Sequence, residues 1–305
     1  MTSFVFPGQG SQYLGMVRDF HDNFELARLI FEEIEDYTEI NIRKVIFENN
    51  ENKLNLTKFT QICIFASSYV IFKILINEKG YPVNDIKVMM GHSLGEYTAL
   101  TCSNKLTLKD SSLILKKRGE LMNDAIDPNL TGMAALIGKD ANYVQNIIEE
   151  NELNLEIAND NSPIQVVISG LIDQIENSKN IFLKNNIKKF IKLNVSSAFH
   201  SRFMNEAQKI LSKEIDKLNF IENEIQIISN YDYNINKNSI SIKNSLQNQM
   251  ANKVNWTKSI KTLAEHGEKH IIEIGPSKVL SGLINRISKN FNIHSINTIS
   301  DLMHE

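Results

Sequence analysis

The sequence predicts an α/β protein of two parts: a parallel-sheet part formed by both ends of the chain, and a smaller unit inserted between them. Three observations point there. A strand, a glycine-bounded turn and a helix follow one another over residues 86–100; residues 132–195 read as βαββαβ; and strand-like apolar runs lie on both sides of that unit. At 305 residues the chain is long enough for about two domains of the usual ~150 residues.

Taken in order, residues 3–6 are a short apolar run closed by Pro7 and Gly8, a buried strand entering a turn. Residues 61–78 are dense in apolar side chains and are stopped by Gly80 and Pro82, which predicts a buried helix. Residues 86–90 form the next strand, Gly91 ends it, and helix formers resume from Leu94. The sequence GMAALIG at 132–138 then reads as a strand and 141–150 as a helix. Strands at 155–158 and 165–169 are joined by an Asn/Asp/Ser/Pro turn, and a helix at 173–184 and a strand at 189–195 complete the unit. That order is the ferredoxin-like split unit. Later strands at 225–229 and 270–274 make it an insertion, and the cleft between the two parts is the natural place for a ligand.

Lys plus Arg number 33 against 36 Asp plus Glu, a formal charge of −3, with 42% hydrophobic and 23% charged residues. This is a globular composition, neither disordered nor collagen-like, and it offers no overall positive field for a nucleic acid. Cys63 and Cys102 lie far apart without a CxxC, so neither a disulfide framework nor a zinc site is expected, and a reducing cytoplasm is the expected setting. No basic region precedes the short N-terminal apolar stretch, and the apolar run at 62–76 is interrupted by Ser67, Ser68 and Lys73. Neither a signal peptide nor a membrane span is expected. No group of Asp, Glu, His or Cys has ligand spacing and no P-loop occurs, so neither a metal nor a nucleotide cofactor is expected.

Gly91-His92-Ser93-Leu94-Gly95 matches G-x-S-x-G at a strand-to-helix junction, where that motif presents a nucleophilic serine on a sharp turn. The helix dipole and the free N–H of Leu94 favour a developing oxyanion there. Ser93 needs a base, usually histidine. The side chain of His92 must point away from that of Ser93, and HGEKH at 266–270 is not a zinc-binding H-E-x-x-H but reads as a solvated turn. His200 stands out because it closes 195–200 at the end of a predicted strand, where functional residues of α/β folds collect. Spacing alone leaves its role open.

Seven motifs spread over the chain resemble the malonyl-CoA:acyl-carrier-protein transacylases: FPGQGSQ at 6–12, FTQ at 59–61, GHSLGE at 91–96, KRGELM at 117–122, NSPIQVVISG at 161–170, SAFHSRFM at 197–204 and EIGPSKVLSGL at 273–283. KKRGELM and SAFHSRFM look most like the stand-alone, trans-acting acyltransferases that serve polyketide synthases.

The resemblance implies roles. Ser93 is the expected nucleophile, His200 its base and then the acid for the leaving thiolate, and the main-chain carbonyl of Gln249 replaces an acidic third member. The N–H groups of Gln9 and Leu94 form the expected oxyanion hole. Arg118 is expected to pair with the malonyl carboxylate, although by pattern alone Lys116, Lys117 and Arg118 read as a solvated helix face. Phe199 is expected to crowd an α-methyl branch, while Ser197 departs from the His that many malonyl-selective modular domains carry there. Gln61 and Asn161 are expected to bring polar groups to the cleft, Asn161 being equally readable as a turn former. Trp256, the only tryptophan, reads as core.

The resulting expectation is an α/β-hydrolase-like catalytic part, 1–130 and 196–305, with a ferredoxin-like insertion at 131–195. It would transfer a malonyl group from malonyl-CoA through malonyl-Ser93 to the phosphopantetheine thiol of an acyl carrier protein, in polyketide or fatty acid biosynthesis, without a cofactor, nucleic acid or membrane. Two rivals are an acyl hydrolase acting on carrier proteins and a non-catalytic carrier-protein partner. Lysines 184, 188, 189 and 192 are expected to flank the cleft and steer an acidic carrier.

Overall fold

The apolar runs at 3–6 and 86–90 form strands covered on both faces. The computed structural model, which describes residues 2–49 and 51–304, sets them side by side. β1 (Thr2–Phe6) and β2 (Ile86–Gly91) pair in parallel with Phe6 opposite Gly91. β3 (Thr131–Ile137), β4 (Glu156–Ser162), β5 (Gln165–Leu171) and β6 (Lys189–Lys192) make a second sheet. β7 (Gln226–Ile228), β8 (Ile235–Asn236), β9 (His270–Ile274) and β10 (Asn292–Ile296) complete the first, in the order β10-β9-β1-β2-β7-β8, with only β8 antiparallel.

Successive side chains of a strand point to opposite faces, and the core follows that parity. Phe4, Phe6, Met89, Ile227 and Ile272 pack with the helix Thr57–Asn77 and its neighbours. Val5, Val88, Met90, Ile228 and Ile271 pack with the helices Trp256–Glu265 and Val279–Ile287 on the other side. In the second sheet, ordered β4-β5-β3-β6 and antiparallel throughout, Ala134, Leu136, Val166 and Ile168 face the helices Ala141–Glu150 and Ile172–Lys184. Residues of the opposite parity, Met133, Ala135 and Val167, face the cleft and join the first core. The two sheets are the parallel part and the ferredoxin-like insertion expected from the order of elements.

The apolar run read as interrupted belongs to a helix of 21 residues, Thr57–Asn77, long and apolar enough by length and composition to cross a membrane. In the fold its apolar faces are taken up by protein: Ile62, Phe65, Ile71 and Leu75 lie in the large core, and Ser67 satisfies its hydroxyl on Cys63 O at 2.7 Å. Both cysteines are buried and free.

Two boundaries differ from the sequence reading. β4 does not stop at Ala158; Asn159, Asp160, Asn161 and Ser162 continue the strand. Turn-forming residues stay extended there because partners outside the sheet satisfy them: Asp160 N donates to Val254 O at 3.0 Å, and Thr257 Oγ1 donates to Asp160 Oδ1 at 2.6 Å. β6 ends at Lys192 rather than 195, so His200 is not at a strand end. It lies in an irregular segment held by Ala198 N on Thr131 Oγ1 at 3.2 Å and by Ser169 Oγ on Phe199 O at 2.7 Å.

Candidate active site

β2 delivers the chain to Ser93, whose φ of 53° and ψ of −109° put a non-glycine residue in the left-handed half of the map before the helix Leu94–Cys102 begins. Such strain persists only where the surroundings enforce it. A Cβ on Gly95 would come within 2.1 Å of Phe6 O, and one on Gly8 within 2.5 Å of His92 O, so only glycine lets β1 and its following turn press against the elbow. Asn230, fully buried just beyond β7, clamps the turn with both ends of its amide. Its Oδ1 accepts from Ser93 N and its Nδ2 donates to Gly91 O, each at 2.6 Å.

The Ser93 hydroxyl lies 2.8 Å from His200 Nε2. The other ring nitrogen, Nδ1, faces Gln249 O at 3.1 Å and Asn252 O at 3.2 Å. Carbonyl oxygens only accept, so Nδ1 carries the proton and Nε2 is left as the acceptor for the serine O–H. Burial, with the nearby Arg118 charge adding to it, holds the imidazole down to about 3, which keeps it neutral. His200 itself has φ 54°.

Arg118 is 1% exposed, whereas Lys117 beside it on the helix Leu108–Asp124 faces solvent. Its Nη2 donates to Ser93 Oγ at 3.0 Å and Gln249 Oε1 at 2.9 Å, its Nη1 donates to Gln61 Oε1 at 2.6 Å, and its Nε has no partner. The Tyr97 ring lies 5.4 Å from the guanidinium carbon. Burial lowers the pKa of Arg118, but a guanidinium stays protonated. The side-chain Nε2 of Gln249 donates to Glu96 Oε2 at 2.7 Å and Ser93 O at 3.0 Å, so one residue touches histidine, arginine, serine and a buried carboxyl.

A cleft of about 400 Å³ opens over Ser93 and His200, with Arg118 and Gln249 buried behind them; it is lined from the first sheet's side by Gln9, Ser93, His200 and Leu280 and from the second by Met133, Asn161 and Val167. Phe199 also lines it. Gln9 is tied by its side chain, Nε2 donating to Thr57 Oγ1 at 3.2 Å, while Leu94 N opens a helix and so has no partner within it. Gln61, expected at the cleft, is instead fully buried behind Arg118, with Nε2 on Met122 Sδ at 3.2 Å. Asn161 reaches the cleft from within β4, not from a turn, and its Oδ1 accepts from His92 Nε2 at 2.8 Å. His92 thus points away from Ser93, onto Asn161 and the buried Trp256 ring 5.5 Å away. Among the described residues no group of three or more His, Cys, Asp or Glu could hold a metal ion.

Residues 3–303 match the acyl transferase domain family. The chain belongs to that family. Among relatives of this acyl transferase, the malonyl CoA-acyl carrier protein transacylase of Bacillus subtilis strain 168 is 34% identical over 290 residues, 94% of this chain and 90% of its own length. The polyketide biosynthesis malonyl CoA-acyl carrier protein transacylase PksC of the same strain is 36% identical over 300 residues, 95% of this chain and 98% of its own. A solved structure of a type II PKS acyl-carrier protein in complex with its malonyl-transacylase matches with a TM-score of 0.94 at 30% identity, covering 99% of this chain and 97% of that one.

Asn230 and Glu96 of this acyl transferase were not singled out from sequence. Asn230 had a signal, since it directly follows the strand predicted at 225–229, and the C-terminal ends of parallel strands are where α/β sites gather. Glu96 had none beyond its place in the GHSLGE motif.

Proposed function

We propose that this acyl transferase moves malonyl groups from malonyl-CoA to the phosphopantetheine thiol of an acyl carrier protein, through an ester on Ser93, in polyketide or fatty acid biosynthesis. The observation that carries the reading is the Ser93 hydroxyl on the cleft wall, 2.8 Å from a neutral histidine nitrogen and 3.0 Å from a buried guanidinium.

Ser93 Oγ attacks the thioester carbonyl while His200 Nε2 takes its proton. Gln249 O, and Asn252 O beside it, hold the ring in the tautomer this requires and stabilise the imidazolium that forms. The oxyanion is received by the N–H groups of Gln9 and Leu94, donors of a kind worth roughly 10²–10³ in rate. The C–S bond then breaks, and His200 returns the proton to the coenzyme A thiolate. The carrier-protein thiol reverses the sequence: it gives its proton to His200, takes the acyl carbon, and leaves Ser93 protonated again. Arg118 pairs with the malonyl carboxylate, which selects a dicarboxylic acyl group and fixes its direction. Phe199 and the second sheet, 131–195 in the proposed division, close the other side of the acyl site. The chemistry draws on these side chains and the two thioester partners, without a metal or bound cofactor, and its setting is the cytoplasm.

The test is intact-mass measurement after mixing with malonyl-CoA, followed by addition of holo carrier protein. One malonyl per chain, absent in Ser93→Ala and discharged by carrier protein faster than by water, is expected. Discharge to water at the same rate with or without carrier would make the protein a hydrolase, and no adduct at all would leave it a non-catalytic partner.

A further inference from the structure

Glu96 is fully buried in the first turn of the helix Leu94–Cys102. Its Oε2 accepts from Gln249 Nε2 at 2.7 Å and Asn230 N at 3.1 Å, while Oε1 is buried without a well-formed hydrogen bond, the neighbouring Ser229 hydroxyl partly offsetting the effect of burial on the carboxyl. These bonds decide which way the Gln249 amide faces. With Nε2 held by Glu96 and by Ser93 O, Gln249 turns Oε1 to Arg118 Nη2 at 2.9 Å. Reversing the amide would set its NH₂ against the guanidinium, donor against donor.

We propose that Glu96 is a positioning residue for Arg118, acting through Gln249, and that it gains a proton when the malonyl carboxylate enters; this rests on the malonyl-transfer reading above. The reason is charge balance. In this hydrogen-bonded group Arg118 is the positive member and Glu96 the ionisable acid. With Glu96 ionised the group is already neutral, and a substrate carboxylate adds a second buried anion beside one guanidinium, which is costly. A proton on Glu96 restores neutrality and leaves the whole charge of Arg118 to the substrate. Oε1 is where that proton can reside. Burial pushes Glu96 up to about 7, so the proton is at hand near neutral pH.

The charged and titratable groups around Glu96 are Arg118 from the helix Leu108–Asp124, Asp232 beyond β7, Tyr97 on its own helix, and His200 across Gln249. Asp232 acts in the same direction as burial, and His200 is neutral throughout the range concerned.

The experiment compares acylation of Ser93 by malonyl-CoA and acetyl-CoA from pH 6 to pH 9 in the wild type and in Glu96→Gln, whose amide oxygen can still accept from Gln249. Both donors carry the same nucleotide phosphates, so the ratio of their kcat/KM values cancels those titrations. In the wild type the malonyl-to-acetyl ratio is expected to fall by about tenfold per pH unit above 7. In Glu96→Gln it is expected to be flat. A flat wild-type ratio, or the same fall in both proteins, overturns the inference. Should the variant not fold, proton uptake by the wild type decides alone: at pH 8 in dilute buffer, uptake approaching one proton per malonylated Ser93 and none on acetylation is expected, and equal uptake overturns it. No malonyl adduct at any pH would overturn the transfer reading itself, whereas an adduct without this pH signature overturns only the role of Glu96.

Discussion

Arg118 donates to the hydroxyl oxygen of Ser93 at 3.0 Å, so the residue proposed to take the substrate's carboxylate is itself bonded to the proposed nucleophile. The serine oxygen takes a charged hydrogen bond from Arg118 and offers its own proton to His200. The Arg118 charge also disfavours an imidazolium, which in the proposed mechanism would help His200 to hand its proton on to the leaving thiolate.

His200→Ala is expected to slow acylation of Ser93 by roughly 10²–10⁴-fold, the usual contribution of a positioned general base. With acetyl-CoA, the wild-type rate should show no acid limb near 6.5, the ordinary imidazole value, because burial first and Arg118 second hold His200 down to about 3. Single-turnover mass spectrometry across that range checks both: an unchanged rate in His200→Ala would count against His200 as the base, and an acid limb centred on the ordinary value would show that burial does not depress it.

Arg118→Ala should change preference rather than only rate. Malonyl loses a charge-assisted pair worth roughly 1.5–3 kcal/mol, about ten- to a hundredfold in relative kcat/KM, and acetyl has no carboxylate to lose. Competition between malonyl-CoA and acetyl-CoA, read from the mass of the adduct, measures it. Equal losses for the two donors would reduce Arg118 to a support for Ser93.

Stability should respond to pH through Glu96. Its folded pKa is raised, from 4.5 to about 7, so its favourable contribution is complete below the unfolded value and is lost as pH rises through the folded one. Glu96→Gln should therefore gain on the wild type by about 2.5 kcal/mol between pH 5 and pH 8.5 in urea titrations. A difference between the two proteins that stays constant over that range would contradict the assignment.

Lys188 and Lys189 are exposed where the chain enters β6, whose continuation at Leu193, Asn194 and Val195 lines the cleft. Lys192 is already paired with Glu176 at 2.6 Å. Lys188→Glu with Lys189→Glu should slow discharge of malonyl-Ser93 to an acidic carrier protein at low salt and leave self-acylation by malonyl-CoA nearly unchanged. Rapid-quench measurement of the two half-reactions separates them, and an unaffected second half-reaction would move the docking surface elsewhere.

Of the candidate site only the Ser93 elbow was legible from local sequence; His200, Arg118, Gln249 and Gln9 were picked out by the family resemblance. Ser93 declares itself by two glycines at a strand-to-helix junction, and the two sheets follow from the order of short apolar runs. What escaped depends on contacts between distant residues. Asn230 meets Ser93 across 137 positions and Glu96 meets Gln249 across 153, and no periodicity encodes a buried hydrogen bond between residues so far apart. The Asn-Asp-Asn-Ser stretch of β4 misled for the same reason: its local preference is for a turn, and the partners that keep it extended, Val254 and Thr257, lie about 95 positions away, just before and within the helix Trp256–Glu265. The helices before residue 57 and the edge strand β10 carried no distinctive chemistry and went unread.

The continuation of β4 past Ala158 also bears on recombination. Asn159 bridges to Val254, Asp160 binds Thr257 and Asn161 binds His92, next to Ser93. A chimera that imports residues 131–195 from another acyl transferase therefore brings half of each contact and relies on its host for the rest. Donors should be chosen for what they place opposite Val254, Thr257 and His92, because a segment matched on its own hydrophobic core alone would graft as a folded unit onto a misaligned elbow.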